Sequence, residues 1–207
     1  FSMQEPDVKL PFMVMSLASL FLLYRFALAW TGAAPALLLT TLMATLQYSV
    51  MYGQIARPYA AGLFTTVLLA DQLTRYLAFG HRRALFGIGL AALLSAYTHH
   101  FALMLAALMG VTGLLLVKPA QRKAYLVMCG AVVLLYLPNV PIFFKQLGLG
   151  GLSEWLVPPG ADWLTNYAWY VAHCSFALAG LLTLIVAAAA LLHLREGHGR
   201  GPLLSLL

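Results

Sequence analysis

An arginine interrupts two hydrophobic runs, Pro35 to Met51 and Tyr59 to Ala70, in the stretch Tyr52-Gly53-Gln54-Ile55-Ala56-Arg57-Pro58-Tyr59. Both runs are greasy enough to lie in a bilayer. An ionisable group beside hydrocarbon costs several kcal/mol unless it reaches water or an anion, so Arg57 is a candidate functional residue. Its neighbours suit anion binding. Gln54, Tyr52 and Tyr59 can donate hydrogen bonds, and a guanidinium grips a phosphate through two parallel bonds. The alternative is an interfacial anchor snorkelling to headgroups between belt tyrosines.

Other chemistry-bearing residues are few. His99-His100 could ligate a metal, but adjacent helical positions do not face one site, so two ligands from this pair need a turn there. No metal site is assigned. Asp71 and Arg75 are spaced i, i+4 with the acid nearer the N-terminus, the favourable order for a structural ion pair. A proton relay would need further ionisable partners at matching depth, and the sequence offers none. There is no phosphate-binding glycine loop, no spaced Cys/His set and no nucleophile elbow. Cys129 and Cys174 fall at different depths of their apolar runs, which argues against a disulfide.

The elements that position these residues are membrane helices. Of 207 residues, 62% are hydrophobic and 9% charged, and the mean hydropathy is +0.87. That balance excludes an ordinary soluble domain. The net charge of +6 does not point to nucleic acid, because the basic residues sit in short clusters between apolar runs, as orientation signals do. Seven spans are expected: Leu10 to Ala29, Pro35 to Tyr52, Tyr59 to Phe79, Ala84 to Thr98, Phe101 to Val117, Ala124 to Phe144 and Ser175 to Leu194. A truncated eighth begins at Pro202. The expected architecture is a single all-α transmembrane bundle over 1–207, and both ends look cut, as in an internal piece of a longer protein.

Alternating the loops places nine of the twelve basic residues, including Arg25, Arg75, Arg82, Arg83, Lys118, Arg122 and Lys123, on one side, and only Lys9, Arg57 and Lys145 on the other. The basic side is cytoplasmic by the positive-inside rule, so Arg57 faces the exterior, with His99 and His100. Residues 146–174 form an exterior aromatic-rich loop or interfacial segment containing Trp155, Trp163, Tyr167, Trp169 and Tyr170, with a break at Pro158-Pro159-Gly160. The fourth span is short. Fifteen residues between Arg83 and His99 make a helix of roughly 22 Å against a hydrocarbon core of about 30 Å, so the histidine pair is expected below the exterior surface in a cavity shared with Arg57.

The stretch Tyr48 to Ala60, a short span ending in Tyr97-Thr98-His99-His100-Phe101, and an exterior Trp155-Leu156-Val157-Pro158-Pro159 occur in this order on one side. Together they resemble membrane glycosyltransferases of the GT-C superfamily, and most closely glycosyltransferase family 39, the protein mannosyltransferases and aminoarabinose transferases. The resemblance covers nearly the whole chain. It implies a helix bundle in a bacterial inner (plasma) membrane with an active site on the periplasmic or exterior face. A sugar passes there from a polyprenyl-phosphate donor to a hydroxyl of a protein, lipid or glycan, with inversion.

Carried over by position, the resemblance makes Arg57, Gln54 and Tyr59 the donor-phosphate contacts and has His99 and His100 line the same cavity. It implies no certain cofactor, a divalent cation being possible. Two departures are visible. Ile55 stands where many relatives have an acid, and the family's catalytic carboxylate falls upstream of the segment that Glu5 and Asp7 match, so the catalytic residue is unknown. Two other classes remain open: a lipid-linked glycan flippase or transporter, and a non-catalytic membrane subunit.

Overall fold

The computed structural model describes residues 5–148, 160–171 and 173–195, and among them every regular element is a helix. Trp155, Pro158 and Pro159, His198, Arg200 and the run beginning at Pro202 lie outside the described residues. The helices are α1 (Glu5–Thr31), α2 (Ala33–Thr45), α3 (Gln47–Gly53), α4 (Pro58–Leu77), α5 (Ala84–Thr98), α6 (His100–Leu116), α7 (Pro119–Tyr136), α8 (Val140–Gly148), α9 (Trp163–Val171) and α10 (Phe176–Arg195). A 3-10 turn at Leu137–Asn139 joins α7 to α8.

Local chemistry sets most of these boundaries. Pro58 and Pro119 open α4 and α7, where a proline loses no helical hydrogen bond and pushes the preceding residue into extended backbone. Arg57 and Lys118 accordingly lie at φ −131° and −60° with ψ near 150°. Gly80, at φ 69°, ends the α4 region. The His81 N–H then bonds back to the Arg75 carbonyl at 3.1 Å, satisfying an orphan carbonyl as a left-handed glycine cap does. Ser19, Thr40 and Thr112, inside apolar helices, donate to the carbonyl four residues earlier, so these three bring no unmet donor into an apolar layer, whereas the buried Ser95 hydroxyl of α5 has no partner among the described residues.

The expected span Pro35 to Tyr52 is not one helix. It breaks at Leu46, which leaves helical geometry at ψ 127°, and α3 turns away from α2 by 62°. Two causes act together. The Thr45 hydroxyl bonds the Thr41 and Leu42 carbonyls, which weakens the ladder at that turn, and α3 seats Gly53 against Ser16 of α1.

By length and composition two helical stretches can cross a membrane alone, Asp7–Thr31 and Pro119–Gly148, or up to four if each bent pair, α2 with α3 and α9 with α10, counts as one. The seven expected spans are not reached on those criteria. The 15 and 17 residues of α5 and α6 make them short, and α4 loses hydropathy to Asp71, Gln72 and Arg75. The run expected from Ala124 to Phe144 is the central part of the 30-residue stretch. Trp163 and Tyr167 of the expected exterior loop lie on the short helix α9, both exposed.

Helix α4 is the centre, packed against α1, α5 and α6. Leu69 and Leu73 of α4 meet Ile88 and Ala91 of α5, Ala106 of α6 and Tyr125 of α7 in the buried core. Close approach is specific. A Cβ on Gly113 would collide with the Tyr125 ring and Leu73, and the Tyr125 hydroxyl donates to the Gly110 carbonyl at 3.0 Å. The outer surface is apolar, with Phe86 77%, Leu115 75% and Phe176 85% exposed. So many large apolar side chains facing outward is what a hydrocarbon surround requires.

Candidate functional site

The α4 axis separates two polar ends. Its N-terminal end holds Gln54, Arg57 and Tyr59, and the α5–α6 junction at His99 comes to the same end, because the Tyr59 and His99 rings lie 6.0 Å apart. The expected proximity of the Arg57 loop and the histidine turn is therefore present in the fold.

Arg57 owes its place to Pro58. Held extended, it is the N-cap residue of α4 without capping it through its side chain. Its side chain is exposed, and among the described residues it has no carboxylate partner and no side-chain hydrogen bond. It projects where the first-turn N–H groups of a 20-residue helix and the positive end of the macrodipole already favour an anion. Tyr59, one residue into the helix, packs edge-on against Tyr52 at 4.7 Å, and Tyr52 packs on Tyr48 at 4.4 Å. This stack fixes the turn from α3 into α4.

Gln54 closes α3 and is exposed. It lines a cavity of about 200 Å³ with Ser16, Ser49 and Gly53, and of the five expected site residues it alone does so. Arg57, Tyr59, His99 and His100 do not line that cavity, which lies where α3 meets α1.

His99 belongs to both helices. Extended at φ −163°, it ends α5 and caps α6, its Nδ1 accepting from the Phe101 N–H at 3.2 Å. In that geometry the ring proton is on Nε2, which can donate outward. The turn that two ligands from this pair would need is present, and the His100 ring lies 6.2 Å from that of His99, edge-on, and 5.2 Å from Phe143 of α8. Among the described residues no group of three or more His, Cys, Asp or Glu side chains is placed to hold a metal ion.

At the opposite end, the expected Asp71–Arg75 pair is present, Arg75 Nε to Asp71 Oδ2 at 3.0 Å, but it is half of a larger arrangement. Arg25 of α1 donates from Nε to Oδ1 at 2.9 Å and from Nη2 to Oδ2 at 2.5 Å, and Gln72 Nε2 donates to Oδ2 at 2.9 Å. Sequence reasoning missed Arg25 as a partner. The available signal was an arginine within an apolar run, at the cytoplasmic depth also given to Asp71. Trp30 Nε1 donates to Thr74 Oγ1 at 3.1 Å one turn further.

Beyond these ends, an apolar cavity of about 380 Å³ lies between α5, α6 and α7, lined by small residues such as Ala92, Ala96, Ala106 and Gly110 and reaching Tyr136 and Val140. That brings it to the histidine end, where the Tyr97 hydroxyl donates to the Leu135 carbonyl at 2.8 Å. Comparison of the chain with family models, curated proteins and solved structures finds no match.

Proposed function

We propose that this chain is part of an integral membrane glycosyltransferase of GT-C type that moves a sugar from a polyprenyl-phosphate donor to a hydroxyl acceptor on the exterior face, inverting the anomeric centre. In this reading α1, the bent α2–α3, α4, α5, α6, α7–α8 and α10 each cross the bilayer, and the Arg57 turn faces the periplasm. The observation that carries it is the state of Arg57: exposed at the N-terminus of α4 with no acidic partner among the described residues, beside a tyrosine and an imidazole in ring contact. A departing lipid phosphate supplies the missing anion. Arg57 neutralises its charge, and Tyr59 and His99 donate to its oxygens. The apolar cavity that reaches the histidine end takes the first prenyl units.

No described carboxylate is assigned as the general base; Asp71 is committed to two arginines at the far end. The second reading, a lipid-linked glycan flippase, draws on the broken helix at Leu46, a device transporters use to line a site.

The test is binding of a polyprenyl phosphate to the purified full-length protein, wild type against Arg57→Ala, at two salt concentrations. Loss of a charge-assisted contact weakens binding by about 1.5 to 3 kcal/mol, roughly ten- to a hundred-fold, and most at low salt. Unchanged binding makes Arg57 an interfacial anchor and removes the support for a donor site. Translocation of the lipid without sugar transfer would select the flippase.

A further inference from the structure

The basic end of the bundle gathers four arginines and a histidine around one pocket. Arg25 of α1, Gln72 and Arg75 of α4, and His81, Arg82 and Arg83 of the following turn line a pocket of about 370 Å³. Gly80 makes the pocket possible. Its left-handed backbone and the His81-to-Arg75 bond fold the turn back, so the arginines of the turn stand beside those of the helices.

The charge there is not balanced from within. Asp71 is the one carboxylate in contact with the cluster among the described residues, and it is 2% exposed. Two arginines and Gln72 already occupy its oxygens. It therefore offsets one of four guanidinium charges and has no capacity for Arg82 or Arg83. Its structural effect is to hold Arg25 and Arg75 side by side with their outer faces open, each side chain 32% exposed. Such a fork of fixed guanidiniums matches phosphate oxygens.

The pocket continues into an apolar groove. Arg82 also lines a cleft of about 790 Å³ between α5 and α7, with Lys123 and the apolar Leu85, Phe86, Val127 and Met128. A ligand that places a phosphate against Arg82 can lay a chain along that cleft without leaving it. We infer that this pocket binds the phosphate of an anionic phospholipid, with one acyl chain in the α5–α7 cleft. The inference is independent of the glycosyltransferase reading. Basic pockets between membrane helices are established sites for such headgroups, and positive charge beside hydrocarbon favours a lipid over a soluble anion.

The experiment is native mass spectrometry of the detergent-purified full-length protein titrated with phosphatidylglycerol, phosphatidylcholine or soluble glycerol phosphate. Wild type should retain phosphatidylglycerol about tenfold better than phosphatidylcholine, and the exposed-residue double variant R82Q/R83Q should lose that preference while eluting as wild type. Arg57→Ala should keep it, which separates this site from the proposed donor site. Equal retention of the two lipids by wild type, or an undiminished preference in R82Q/R83Q, overturns the inference. Glycerol phosphate binding as tightly as phosphatidylglycerol overturns the lipid assignment in favour of a soluble phosphate ligand.

Discussion

Arg25 and Asp71 join α1 to α4 across 46 positions of sequence through two side-chain bonds, 2.9 and 2.5 Å long. Since Arg75 holds the same carboxylate from within α4, Asp71 is the shared acceptor that makes the α1–α4 contact compatible with two arginines. A buried acid used this way fixes how the helices register rather than adding net stability, because desolvation offsets much of the attraction.

Removing the acid should therefore cost more than removing one base. Asp71→Ala leaves two like charges facing each other and should lower stability by about 3 kcal/mol, whereas Arg25→Leu leaves Asp71 with Arg75 and Gln72 and should cost about half as much. Thermal unfolding of the detergent-purified protein measures both. A larger loss for Arg25→Leu would contradict the shared-acceptor account.

The glycines of α6 should behave in opposite ways. Gly113→Ala places a methyl against Tyr125 and Leu73, with rigid ring and core atoms within 3 Å, and should destabilise by about 1 to 3 kcal/mol. Gly110→Ala meets no atom within 4 Å and, sitting mid-helix, should be neutral or gain up to about 1 kcal/mol. The pair is compared by the same unfolding measurement. Equal effects would mean that α6 and α7 do not approach as described.

His99 carries two separable tasks. His99→Ala removes the acceptor for the Phe101 N–H and should cost about 1 kcal/mol, while His99→Asn can keep the cap and should stay near wild type in stability. Polyprenyl-phosphate binding should fall in both, since neither keeps an Nε2 donor beside Tyr59. If His99→Asn binds as wild type does, the imidazole is a helix cap only.

Local signals made much of this legible. The Ala84 to Thr98 helix was delimited in advance by Arg82-Arg83 and His99-His100, and it spans those residues. The expected span began at Tyr59, one residue after Pro58, which opens α4 and holds Arg57 extended. The break at Leu46 had only a weak signal, Thr45, because the run from Pro35 to Met51 contains no internal glycine or proline and the bend also follows from what α3 packs against. Asp71 was matched to Arg75 because a helix puts i and i+4 together. Its bond to Arg25 required knowing which helices touch, which one sequence does not state. The same holds for Gln54, adjacent in sequence to the Arg57 turn but drawn by α3 into a cavity against α1.

The α5–α6 hairpin has a consequence for the lipid itself. At 15 and 17 residues, its limbs reach roughly 22 and 26 Å. In a bilayer, hydrophobic mismatch of this size draws the adjoining leaflet inward, at fractions of a kcal/mol per Å. The dimple would form beside His99 and His100 and lower the headgroup plane toward the tip of the hairpin. With both limbs spanning as in the proposed topology, shorter-chain bilayers should accommodate the hairpin with less deformation than thick ones.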